Sequence, residues 1–149
     1  MIKPDYNGYG LSNLVSTILR CYGDKGVRHK PIPEVGLDGC LEGVENLILL
    51  LIDGLSYYQT SGRIERYLQK VCNPITIPIT STFPSTTTTA LATLNTGLTP
   101  QEHAIIGYTT HLKEIGIVLS LTNFAPSAAP ESICLMQAGL DPSTFLDAE

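Results

Sequence analysis

Residues 47–54 read Leu47-Ile48-Leu49-Leu50-Leu51-Ile52-Asp53-Gly54, six apolar residues in a row stopped by an Asp-Gly pair. A continuous apolar run of that length predicts a strand buried on both faces, as in parallel sheets covered by helices. Asp53 then emerges at the carboxyl end of the strand, where open α/β sheets place their ligands. Gly54 lets the chain turn sharply there. Downstream, apolar positions at Tyr57, Tyr58, Ile64, Tyr67, Leu68 and Val71 predict a helix, weakened in its first half by Gly62. The β-branched segment 74–78 (PITIP) reads as a second strand. Strand, helix and strand make a right-handed βαβ unit. An Asp-Gly pair after an apolar run also fits a plain turn.

Upstream, Leu11, Leu14, Val15, Ile18 and Leu19 fall on one face of a helix over residues 11–22, which Gly23 would cap. That apolar face is expected to pack on the body of the protein. Residues 24–46 carry six Gly or Pro residues and no persistent period. The basic cluster Lys25, Arg28, His29 and Lys30 in this stretch reads as a solvated loop.

Residues 79–108, ITSTFPSTTTTALATLNTGLTPQEHAIIGY, hold eleven Ser or Thr. Phe83-Pro84 makes an extended approach. Residues 85–89 then lead into a short helix ending near Thr96 and closed by Gly97. Thr99-Pro100-Gln101-Glu102 is a capping box with Pro at the first helical position. His103 next to it reads as a hydrogen-bonded structural residue. Residues 108–112 and 116–121 predict a hairpin, residues 123–130 a loop, and residues 131–138 a short helix ending at Gly139. Asp141-Pro142 would cap a last turn.

Composition narrows the function. The chain has 149 residues, enough for one domain with a core. Charged residues are only 15%, against roughly 25% for an average soluble domain. The net charge of −5 argues against a nucleic acid or an anionic membrane as partner. An anionic substrate would then need a local positive centre, and a metal ion is the simplest one. Cys21, Cys40, Cys72 and Cys134 are widely spaced, which rules out C-x-x-C metal and redox motifs and favours reduced thiols. The N-terminus has no apolar signal core, and no apolar run nears the roughly 20 residues of a membrane span. A soluble cytoplasmic protein is expected.

Asp53 and one hydroxyl of the threonine run form a coherent pair. A strand-end carboxylate is a hard metal ligand. A hydroxyl in the first turn of a helix sits beside unpaired N–H groups in the positive field of the macrodipole, which suits phosphate oxygens. A bound divalent cation could activate that hydroxyl for attack on phosphorus.

The combination LILLLIDG and then FPSTTTTALATLNTGLTPQEHAIIGY resembles the N-terminal half of the type I phosphodiesterase/nucleotide pyrophosphatase family, in the alkaline phosphatase superfamily. The resemblance implies an α/β fold: a three-layer α/β/α sandwich with a mainly parallel sheet. It also implies two divalent metal ions, usually zinc, and a covalent phospho-threonine. On this motif Asp53 matches a metal ligand. Thr87 matches the nucleophile and second metal contact, with Thr86 and Thr88 as alternatives of register. Helix N–H groups near Thr87 and Thr88 would hold phosphoryl oxygens. Thr88 and Tyr108 are the substrate-binding candidates, although many members have Asn at the position of Tyr108. The family usually has Gly where this chain has Ala104.

The family's remaining metal ligands are downstream Asp and His residues, including an Asp-His pair, and no such pair occurs here. Residues 1–149 are therefore expected to be a single partial domain, the N-terminal half of an alkaline phosphatase-like catalytic domain, with its sandwich incomplete. Such a half would expose apolar faces, be marginally stable and show negligible activity alone. The expected function is metal-dependent hydrolysis of small phosphate esters. The competing reading is a non-catalytic remnant or interaction module that keeps the fold without the full metal site. A nucleotide-binding βαβ module fits poorly, because DGLSYY is no Gly-rich phosphate loop.

Overall fold

Helix formation follows the local signals closely. In the computed structural model, which describes residues 2–33, 43–60, 62, 64–71, 75–128 and 134–141, α1 spans Leu11–Cys21, α2 Tyr57–Thr60, α3 Ile64–Val71, α4 Thr87–Thr96 and α5 Pro100–His103. The predicted helix over 57–71 is thus split around Gly62 into α2 and α3. Helix α4 is capped at its start by Thr86, whose hydroxyl accepts from the Thr89 N–H, and at its end by Gly97 in the left-handed region (φ 73°). Helix α5 carries the predicted capping box: the Glu102 carboxylate accepts from the Thr99 N–H at 2.7 Å.

Residue Ala104 closes α5 with φ 58°, a left-handed conformation for a residue with a Cβ. Such a residue costs roughly 1–2 kcal/mol relative to glycine's freedom there. Ala104→Gly is expected to stabilise the protein by about 1 kcal/mol, after the greater flexibility of the unfolded chain is allowed for, and to raise Tm by roughly 3 °C in a thermal melt.

Burial on α1 reverses the sequence expectation. Ser12, Asn13, Ser16 and Thr17 are the buried residues, while Leu19 is exposed and Leu11, Leu14, Val15 and Ile18 are half-buried. Hydrogen bonding explains the reversal. Asn13 accepts from the Gly10 N–H at 2.9 Å and donates to the carbonyls of Lys30 (2.8 Å) and Tyr6 (3.3 Å). The Thr17 hydroxyl donates to the Asn13 carbonyl and accepts from the Ile32 N–H, both at 2.8 Å. The polar face therefore fastens two irregular segments whose backbone groups need partners. Helix α1 packs on α4, and a Cβ at Gly97 would come within 3.3 Å of Val15 Cγ1.

Strands β1 (Thr109–Leu112), β2 (Ile117–Ser120) and β3 (Ala125–Pro126) form one antiparallel sheet in the order β1-β2-β3. Thr109 pairs with Ser120 and Leu112 with Ile117, which is the predicted hairpin. Strand β3 forms inside the stretch read as a loop, and its Pro126 is tolerated because β3 is an edge strand. Leu112, Leu119 and Phe124 are buried together, with Cys134, Leu135 and Leu140 packed against them.

Residues 47–52 do not form the buried strand that their composition predicts. Ile48 is 92% exposed and Leu50 78%, and no described residue pairs with them in a sheet. Residues 75–78 also lie outside any strand. The expected βαβ unit and mainly parallel sandwich are therefore not formed by the described residues; the parallel pairing present is a single bridge between Gly10 and Thr80. An apolar run becomes a buried strand only when neighbours satisfy its N–H and C=O groups on both edges. Among the described residues these neighbours are lacking. Residues 134–140 make successive turns rather than the predicted helix, with Ala138 N–H bonded to the Cys134 carbonyl at 3.3 Å. Residues 131–133 and Pro142 onwards lie outside the described residues.

Candidate active site

The approach to α4 is fixed by the N-terminal segment. Thr80 N–H donates to the Tyr9 carbonyl at 2.7 Å, and the Thr80 hydroxyl accepts from the Asp5 N–H at 2.8 Å. Gly10 is needed in this stitching, because a Cβ there would lie 2.4 Å from the Asp5 carbonyl oxygen. The run of four threonines is thereby delivered to the helix start in a set register.

In that register the four hydroxyls have different surroundings. Thr86 caps the helix, its Oγ1 lying 2.8 Å from that of Thr89. Thr89 is fully buried. Thr88 Oγ1 is buried without a hydrogen-bond partner. Thr87 donates from Oγ1 to Asp53 Oδ2 at 3.0 Å, and this pair is exposed. The other carboxylate oxygen of Asp53 accepts from the Gly54 N–H at 2.8 Å. Residues 34 positions apart in the chain are thus brought into direct contact. Of the three threonines admitted by register, Thr87 is the one on Asp53.

Two cavities meet at Thr87. One, of about 540 Å³, is lined by Thr87, Thr88 and Tyr108 together with Leu91, Leu121 and other apolar residues. The other, of about 500 Å³, holds Asp53, Ser56, Ser81, Ser85 and Thr87. The expected substrate-binding residues Thr88 and Tyr108 therefore share a wall with Thr87. Ser81, Ser85 and Leu91 were not singled out in the sequence. Leu91 follows Thr87 by one helical turn, a spacing that would have found it; Ser81 and Ser85 gave no such signal.

The histidines and the basic loop have structural partners. His103 is buried, its Nδ1 accepting from the Ile105 N–H and its Nε2 lying 3.0 Å from Thr93 Oγ1. A neutral ring with the proton on Nε2 satisfies both contacts. His29 Nε2 meets Glu102 Oε2 at 2.8 Å, and Arg28 Nε meets Oε1 at 3.2 Å. The loop read as merely solvated is thus clamped to α5 through Arg28 and His29.

These contacts predict acid sensitivity. Burial lowers the pKa of His103 from its ordinary value of 6.5. Burial alone would raise Glu102, but hydrogen bonds from Thr99 and His29, with the His29 charge, outweigh it and lower its pKa from 4.5 to about 2. Both folded pKa values are depressed, so both contributions are complete above the unfolded pKa and are lost as pH falls through the folded one. Stability is expected to decline below pH 6.5 through His103, then again from pH 4.5 towards 2 through Glu102. The Glu102 step is worth about 1–2 kcal/mol after solvent screening. Urea titrations across pH should show both steps; His103→Gln should flatten the first and Glu102→Gln the second.

A divalent cation would find two hard oxygen ligands in Asp53 and Thr87. Among the described residues no group of three or more His, Cys, Asp or Glu side chains gathers. Closed zinc sites take three or four protein ligands, so these two residues do not by themselves complete the expected two-metal centre.

A model of the type I phosphodiesterase / nucleotide pyrophosphatase family matches residues 47–127, more than half of the chain, and the match includes both Asp53 and Thr87. The chain belongs to the type I phosphodiesterase / nucleotide pyrophosphatase family. No curated protein and no solved structure matches it. Membership supports a phosphodiesterase- or pyrophosphatase-type hydrolase acting on small phosphate esters. The matched segment carries the Asp53–Thr87 pair, Tyr108 and all of the sheet. No helix of the described residues is long and apolar enough to cross a membrane.

Proposed function

We propose that Thr87 is the nucleophile of a phosphate-ester hydrolase and that Asp53 is its proton acceptor and orienting partner. The observation that carries this reading is the 3.0 Å hydrogen bond from Thr87 Oγ1 to Asp53 Oδ2. A threonine hydroxyl attacks poorly until a base or a cation lowers the cost of losing its proton. In the proposed step the Thr87 oxygen bonds to phosphorus, the bond from phosphorus to the leaving oxygen breaks, and the hydroxyl proton passes to Asp53. The departing alcohol takes a proton from water. A second water then attacks the phospho-threonine, the bond from phosphorus to the Thr87 oxygen breaks, and that oxygen takes back the proton held by Asp53, which restores both groups. Free N–H groups in the first turn of α4 hold the phosphoryl oxygens.

Asp53 and Thr87 are also proposed as two ligands of a divalent cation, zinc by family resemblance, whose other ligands lie outside the described residues. When bound, such a cation would favour the deprotonated hydroxyl, and Asp53 would then serve as its ligand instead of as the proton acceptor. The test is chemical trapping. Acid quench during reaction with p-nitrophenyl phosphate esters, followed by peptide mass spectrometry, is expected to find phosphate on Thr87. Phosphate on Thr86 or Thr88 instead would move the nucleophile and sink this assignment.

A further inference from the structure

Ser81 and Ser85 also line a cavity of about 830 Å³ to which neither Asp53 nor Thr87 contributes. Its walls come from three places: Lys3 and Tyr6 in the N-terminal segment, Ser81, Phe83 and Ser85 on the approach to α4, and Gln101 in α5. The first two walls are tied together across the chain. The Tyr6 hydroxyl accepts from the Phe83 N–H at 3.0 Å, and the Asp5 N–H donates to the Thr80 hydroxyl at 2.8 Å. The volume is within the range of small-ligand sites, about 300–1,000 Å³.

The protein itself leaves this lining poorly satisfied. Phe83 is 69% exposed. Lys3 is exposed and has no ion-pair partner among the described residues. The carboxylates nearest in sequence are engaged elsewhere: Asp5 accepts from the Asn7 N–H at 2.8 Å, and Glu102 from Thr99, Arg28 and His29. The side chains of Ser81, Ser85 and Gln101 bond to no described residue. An exposed ring, a cation and three neutral hydrogen-bonding groups thus converge on one space.

We propose that this cavity is a second ligand site, separate from the Asp53–Thr87 pair, and that it takes a small aromatic carboxylate. The ring lies against Phe83 and Tyr6, and the carboxylate meets Lys3 together with the neutral donors of the wall. Ring against ring removes apolar surface from water and adds the geometric preference of aromatic pairs. A lysine at the surface attracts a carboxylate only weakly by itself, because water screens the pair. The ring therefore supplies most of the affinity, and Lys3 selects for charge. The inference stands whichever threonine attacks phosphorus, since none of Thr86, Thr87 and Thr88 lines this cavity.

The probe is 2-naphthoate, with an expected Kd of about 1 mM. Lysine acetylation by an N-hydroxysuccinimide ester, followed by peptide mass spectrometry, reads the site without turnover. At half-saturation 2-naphthoate is expected to slow acetylation of Lys3 about twofold. It should leave Lys70, on α3 and outside the lining, unchanged. Lys3 and Phe83 are exposed, so Lys3→Met and Phe83→Ala should keep the parent's Tm. By isothermal titration, Phe83→Ala is expected to weaken 2-naphthoate about tenfold. Lys3→Met should weaken it about threefold and leave uncharged 2-naphthol unchanged. Thr87→Ala should leave 2-naphthoate binding unchanged. Equal slowing of Lys3 and Lys70, or none, overturns the proposal, as does unchanged affinity in Phe83→Ala. Equal losses of 2-naphthoate and 2-naphthol in Lys3→Met overturn the selection for an anion. Loss of 2-naphthoate binding in Thr87→Ala would put the carboxylate at the phosphoryl site, which overturns a second site and leaves the role of Thr87 untouched.

Discussion

Thr87→Ala, made in a form that also carries the remaining metal ligands, is expected to lower the hydrolysis of bis(p-nitrophenyl) phosphate, assayed with millimolar Zn²⁺, by about three powers of ten or more. Alanine leaves no oxygen to bond to phosphorus, so the covalent route is closed and only positioning of water remains. The fold should not register the change. Thr87 is the first residue of α4, while the cap is the Thr86 hydroxyl accepting from Thr89. Alanine at an interior or first-turn position also favours a helix. Thermal unfolding should therefore shift by no more than about 0.5 kcal/mol. Thr87→Ser keeps the oxygen and its reach to Asp53, and should retain activity within about tenfold of the parent. Asp53→Asn keeps the shape but removes the acceptor, and should fall with Thr87→Ala. Activity that survives Thr87→Ala would place the nucleophile elsewhere.

The second large effect is on stability. Leu119→Ala is expected to destabilise the protein by about 3 kcal/mol, read as a lower urea midpoint at unchanged slope. Leu119 is fully buried between Leu112 and Phe124, so removing its side chain leaves a cavity at the centre of the small sheet. Single domains are stable by only about 5–15 kcal/mol, so this one truncation takes a large share. The matching control is Leu50→Ala. Leu50 sits in the most apolar run of the chain and is 78% exposed. The structure predicts a change within about 0.5 kcal/mol there. A buried strand over 47–52 would instead predict a loss of about 2–5 kcal/mol at Leu50. The pair of variants thus separates burial inferred from composition from burial observed in space.

Structure changes the meaning of two other sequence features. The five apolar residues of α1 made a convincing inward face, but Asn13 and Thr17 make the buried contacts because loop carbonyls and amides need them. The basic loop at 25–30, whose composition predicts a solvated segment, is held instead because Glu102 accepts from both Arg28 and His29. In each case a charge or hydrogen-bond partner far along the chain outweighed a local hydropathy pattern. His103, by contrast, was read as a structural histidine, and its bonds to Thr93 and Ile105 agree with that.

What the sequence determined by itself was local. The start of α4 at Thr86, its end at Gly97, the capping box over Thr99 to Glu102 and the hairpin over β1 and β2 all rest on partners within a few residues. Such contacts form from the chain's own order and need no distant neighbour. The pairing of Asp53 with a threonine was also legible, from the family motif. Which hydroxyl faces Asp53, which face of α1 is buried and whether residues 47–52 lie in a sheet were decided only by tertiary structure. Each depends on groups supplied from far along the chain, and an apolar run or a helical stripe specifies a need for partners without specifying that they arrive.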